Sequence, residues 1–114
     1  MGNTIIQINP YDKRLNVKIE GSLLAGDDQE FYSEYKKEIT LIPTSEFTVE
    51  VDCTDLYVDD LSQMLLLENI YHALKSEDFK QVLFIFKQSS HLNNRLFVDF
   101  INKHQLPEDQ LKAV

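Results

Sequence analysis

Apolar and polar residues alternate with period two near the start of this chain, and recur at helical spacing further along. Thr4 to Ile8 alternates and ends at Asn9-Pro10, a turn signal. Leu15, Val17 and Ile19 alternate with Asn16, Lys18 and Glu20, which predicts a strand with one buried face, broken by Gly21. Two such strands around Pro10-Tyr11-Asp12 predict an antiparallel pair. Asp27, with Glu30 three residues on, has the form of a capping box. Phe31, Tyr32, Tyr35 and Ile39 follow at helical spacing, with Glu34, Lys36, Lys37 and Glu38 on the wet side. A helix is predicted from about Asp28 to Ile39, and Pro43 closes the region.

The second half alternates strands with helices. A strand around Val49 and Val51 ends at Asp52, and a helix runs from Ser62 to about Leu74. In that helix Met64, Leu65, Leu67, Ile70, Tyr71 and Leu74 cover more than one face, which predicts deep burial of its first turns. Val82-Leu83-Phe84-Ile85-Phe86 is an uninterrupted apolar run, the expectation for a central strand covered on both faces. Ser89 or Ser90 is placed to cap a third helix with Leu92, Leu96, Phe97, Phe100 and Ile101 as its stripe. His104 falls in its last turn, and Pro107 stops it. The order is β-β-α-β-α-β-α, with a short last strand near Leu111 to Val114. The predicted class is α/β, a mixed sheet of four to five strands with parallel neighbours and right-handed crossovers.

Composition narrows the function classes. At 114 residues the chain is expected to be a single domain, residues 1–114. Nineteen acidic residues against eleven basic ones give a net charge of −8, and the pI is near 4.7. Nucleic acid and anionic membrane surfaces both need a basic footprint, so neither is an expected partner. The lone cysteine, Cys53, allows no intrachain disulfide and no thiolate cage. No apolar run approaches the roughly 18 residues of a membrane span. No secretory signal is visible, and Ile6 stands where a myristoylation motif needs Ser or Thr. A reducing, cytoplasmic location is the expectation.

The chemistry concentrates between Phe47 and Leu67. Glu46, Glu50, Asp52, Asp55, Asp59 and Asp60 come without an intervening Lys or Arg. They read either as a carboxylate site for a divalent metal or as a solvated acidic loop. A calcium loop needs a D-x-D-x-D rhythm and a glycine, which are missing. A receiver-like phosphoryl-accepting site at Asp52 fits the element order. It also needs an acidic pair after the first strand, where Asp12 stands alone. Ser62 and His72 lie about 15 Å apart along one helix, too far for the base to activate the hydroxyl. His72, His91 and His104 lack H-x-x-x-H spacing and read as surface or helix-end histidines. Acidic neighbours would raise the Cys53 thiol pKa, so it reads as a small apolar residue. No catalytic, cofactor or metal residues are assigned. Ser62, at a helix start, is either a cap or a reactive handle.

This stretch and the order of elements resemble the STAS domains, which include bacterial anti-anti-sigma factors. Ile19-Glu20-Gly21-Ser22-Leu23 is similar to the family's L-x-G-x-L. Residues Asp52 to Met64 lie without a gap over its D-L-S-x-V-x-F-I-D-S-S-G-L. The resemblance covers roughly Leu15 to Leu106. It puts Asp60 at the aspartate before the family's serines, and Ser62 at the second serine, which partner kinases phosphorylate. Leu61 stands in place of the first serine, Gln63 in place of the glycine, and Asp59 where an apolar residue is usual.

The resemblance implies a non-enzymatic signal-transduction module that regulates transcription through protein–protein contact, switched by phosphorylation of Ser62. Asp59, Asp60, Leu61, Ser62 and Gln63 would meet the partner, a GHKL-type serine kinase and anti-sigma factor. Two alternatives stand beside it. One is a constitutive scaffold subunit of the same fold, for instance a homodimer, without phosphorylation. The other is a receiver-like module binding metal or a phosphoryl group.

Overall fold

A computed structural model of the chain describes residues 2–87, 94–107 and 110–114. β1 (Asn3–Asn9) and β2 (Arg14–Glu20) form the expected antiparallel pair around the turn. At that turn Asn9 Oδ1 accepts from the Tyr11 and Asp12 N–H groups at 3.1 and 3.2 Å. β3 (Thr48–Asp52), β4 (Gln81–Phe86) and β5 (Leu111–Ala113) follow in parallel, giving a mixed sheet of order β1-β2-β3-β4-β5.

The helices connect the parallel strands: α1 (Asp27–Ile39) before β3, α2 (Leu61–Lys75) before β4, and α3 (Arg95–Lys103) before β5. Each connection steps one strand in the same direction. Crossovers of one hand therefore place all three helices on one face of the sheet. That face carries the core. Leu15, Val17, Ile19, Val49, Val51, Phe84 and Phe86 point into it from the strands. Phe31 and Tyr35 meet them from α1, Met64, Leu67, Ile70, Tyr71 and Leu74 from α2, and Phe97 and Phe100 from α3.

The other face is open, which corrects the reading of β4. Its apolar run is not covered on both sides: Phe84 and Phe86 are buried, while Leu83 and Ile85 are only half-buried. The run is apolar throughout, so its pattern could not reveal which side lacked a cover.

Leu65, expected to be buried with the other apolar residues of α2, is instead about half exposed; helix ends account for the other differences. α1 starts one residue early, and its N-cap is Gly26 at φ 98° with no side-chain cap. The capping box of Asp27 and Glu30 does not form. Asp27 is buried, and its Oδ2 accepts from the Leu24 N–H at 2.8 Å instead, tying the preceding turn. α3 is described from Arg95, with Asn94 as N-cap through its Oδ1 and the Leu96 N–H. Ser89, Ser90, His91 and Leu92 lie outside the described residues. His104 is the C-cap of α3 rather than part of its last turn.

Candidate functional site

Gly21 ends β2 at φ 76°, in the left-handed region that glycine enters without steric cost. Its N–H donates to the Asp55 carbonyl and its carbonyl accepts from the Tyr57 N–H, both at 2.9 Å. From the other side, the Asn94 amide donates to the Val58 carbonyl at 2.7 Å. The loop entering α2 is thus held at two points. Leu56 and Val58 turn into the core, and Tyr57 turns outward, 65% exposed.

The loop delivers Asp60 in an extended conformation, as the N-cap of α2. Asp60 Oδ1 accepts from the Gln63 N–H at 2.9 Å and from the Ser62 hydroxyl at 2.6 Å. Gln63 Oε1 accepts from the Asp59 N–H at 2.6 Å. The result is a capping box displaced by one residue, since the side chain three beyond the cap closes on the residue before it. Ser62 is therefore not the cap. It is the second residue of the helix, exposed, with its hydroxyl turned onto the carboxylate that is the cap. The Ser62 hydroxyl, and then the Gln63 N–H, hold the Asp60 carboxyl below the usual carboxylate range.

Around this start the surface is apolar. Leu61 is 62% exposed, and Leu65, one turn on, and Leu24 are about half exposed. A depression of about 220 Å³ lies between Leu24-Ala25 and Asp60, Ser62, Gln63 and Leu66. Asp60, Ser62 and Gln63 line this depression together, Asp59 and Leu61 adjoin them along the chain, and Leu24 is a lining residue that the sequence motif did not include.

The remaining acidic residues do not converge. Glu46 pairs with Lys13 and Glu50 with Arg14, both at 2.7 Å, and Asp55 pairs with Lys18 at 3.2 Å. Their cations come from the turn between β1 and β2 and from β2 itself, which is why the acidic stretch looked unpaired in sequence. Asp52 Oδ1 accepts from the Thr54 N–H and hydroxyl. Asp12 lies at the opposite end of the sheet, where the Thr48 N–H meets the Lys13 carbonyl. Four residues of strand, about 13 Å, separate that end from Asp52, so the two carboxylates cannot share a magnesium ion. Cys53 is fully buried, and burial, with Asp52 second, pushes its thiol pKa far up.

One cluster escaped the sequence reading. Glu68 and His72, four residues apart on α2, meet His104 at the end of α3, and their potential ligand atoms lie within 4.8 Å of one another. The Glu68-x-x-x-His72 spacing is its sequence signal, a carboxylate and a histidine one helical turn apart rather than two histidines.

No protein-family model matches the sequence, and no curated protein matches it. Among solved structures, an anti-sigma factor antagonist from Mycobacterium paratuberculosis is similar, with a TM-score of 0.62 over 100% of this chain and 87% of that one. The fold is STAS-like. Sequence identity to that structure is 10%, so the likeness concerns architecture. Among the described residues, no helix is long and apolar enough to cross a membrane.

Proposed function

We propose that this chain is a single STAS-like domain that acts in the cytoplasm as a non-enzymatic, anti-anti-sigma-like regulatory module. It docks a protein partner through the start of α2. The observation that carries this reading is an exposed hydroxyl, bonded only to the capping carboxylate of its own helix, beside exposed apolar side chains. Ser62 sits at the second position of α2, with exposed Leu61 before it in the chain, Leu65 about one turn on, and Leu24 lining the same depression. Apolar and aromatic groups supply contact area, and the hydroxyl supplies a position where charge can be added.

Phosphorylation of Ser62 would place about −1.5 to −2 charge against the Asp60 carboxylate that its hydroxyl now touches. The helix N-terminus favours the added anion, whereas Asp60 and Asp59 oppose it. A partner surface fitted to Leu61 and the unmodified hydroxyl would be repelled, and release follows. A GHKL-type serine kinase that is also an anti-sigma factor has the required chemistry: it binds the patch and modifies its centre.

The test is incubation of the protein with ATP and kinases of that class, read by intact mass and by binding. Wild type should gain one phosphate and Ser62→Ala none. Ser62→Asp should bind the partner at least about tenfold more weakly. Protein that stays unmodified with every such kinase would overturn the switch. Ser62→Asp binding as tightly as wild type would point instead to a constitutive subunit.

A further inference from the structure

Glu68 is buried at the seam between α2 and α3, where a carboxylate is costly unless something compensates its charge. Lys103 partly does so, with Nζ 3.1 and 3.3 Å from the two carboxylate oxygens. The compensation is incomplete at its neighbour. Among the described residues, His104 Nε2 is the one buried side-chain polar atom without a hydrogen-bond partner. It lies 3.9 Å from Glu68 Oε2. Buried polar atoms are nearly always satisfied, so an orphan nitrogen facing a buried carboxylate asks for a shared partner.

His72 supplies the third side. It stands one helical turn beyond Glu68 on the same face of α2, and its ring centroid is 5.4 Å from that of His104. We propose that Glu68, His72 and His104 form a zinc-binding site that ties α2 to the end of α3. Two imidazoles and one carboxylate make a borderline-soft donor set suited to Zn²⁺ and poorly suited to Ca²⁺ or Mg²⁺. Tetrahedral coordination at 2.0–2.1 Å needs donors about 3.3 Å apart, so the cluster must tighten. His104 is held between the rings of Tyr71 and Phe100, at 4.9 and 4.8 Å. The closing movement therefore belongs to His72, whose side chain is exposed and free to change rotamer. Lys103 is 63% exposed and swings into solvent as the ion takes its place. Three protein ligands leave a fourth position for water or a side chain from another molecule.

The site is independent of the α2 start, from which Glu68 and His72 are separated by roughly 9–15 Å of helix. Its test uses tag-free full-length protein, stripped with a chelator and titrated with Zn²⁺ by calorimetry and with Co²⁺ by visible absorption. One ion per chain is expected, with the Co²⁺ bands of four- or five-fold coordination. His72→Ala changes an exposed side chain, and His104→Phe keeps the ring packing; each should weaken binding at least about tenfold. Lys103→Met removes the competing cation and should tighten it. Absence of stoichiometric binding by wild type, or undiminished binding by both His72→Ala and His104→Phe, would overturn the site. The second result would assign the ion to scattered surface carboxylates.

Discussion

Asp60 caps α2, and Ser62, which by sequence could be either a cap or a reactive handle, does not. The carboxylate satisfies the helix N-terminus, and the exposed hydroxyl only leans on it. Asp60→Ala should therefore lower the melting temperature by on the order of 4 °C, the usual effect of losing a cap. Ser62→Ala, at an exposed position, should change stability by less than about 0.5 kcal/mol. The two variants also differ in their pH dependence. The folded-state pKa of Asp60 lies below its ordinary value of 3.8. Its stabilising contribution is thus complete above that value and is lost as pH falls through the lower, folded one. The gap in melting temperature between wild type and Asp60→Ala should be widest near neutral pH and close in acid. Thermal melts across the acid range check this, and a gap that persists in strong acid would mean the charge of Asp60 plays no part.

At the scale of elements, legibility followed how local the deciding contact was. β2 was readable because Leu15, Val17 and Ile19 all face one core and the residues between them all face away. The body of α2 was readable from its apolar density, but its first residue was not, since Asp60 and Ser62 are both good cap types. The spacing of Asp60 to Gln63, a D-x-x-Q, was the local clue that favoured the carboxylate. At α1 the same kind of clue misled, because the chain enters through Gly26 at positive φ and Asp27 turns back to Leu24. His104 was beyond reach, because its meeting with Glu68 depends on how two helices pack. Gly21 shows the opposite case, a single residue whose place in a motif has a direct conformational cause. At φ 76° it joins β2 to the loop that presents the α2 start. Gly21→Ala should cost about 1–2 kcal/mol in urea unfolding, because a Cβ strains that conformation. An unchanged midpoint would mean the joint relaxes to another conformation without loss.

For the whole molecule, the decisive feature is that every crossover lies on one side of the sheet. That leaves an open face where Arg14 pairs with Glu50 and Ile5, Leu83 and Ile85 remain partly accessible. Neighbouring residues of β4 should then respond very differently to substitution. Phe84 is 1% exposed and packs against Tyr71 and Phe100, at ring-centroid distances of 5.6 and 5.7 Å. Phe84→Ala should destabilise by about 3–5 kcal/mol through lost burial and a residual cavity. Ile85→Thr keeps a β-branched side chain on the open face and should cost about 1 kcal/mol or less. Chemical denaturation of both variants, at two protein concentrations, measures the asymmetry. If Ile85→Thr proved as costly as a core substitution, something must cover the open face. A second copy of the chain would reveal itself as a midpoint that rises with protein concentration, because association stabilises the folded state by mass action. A large asymmetry with a concentration-independent midpoint leaves the sheet one-sided in solution.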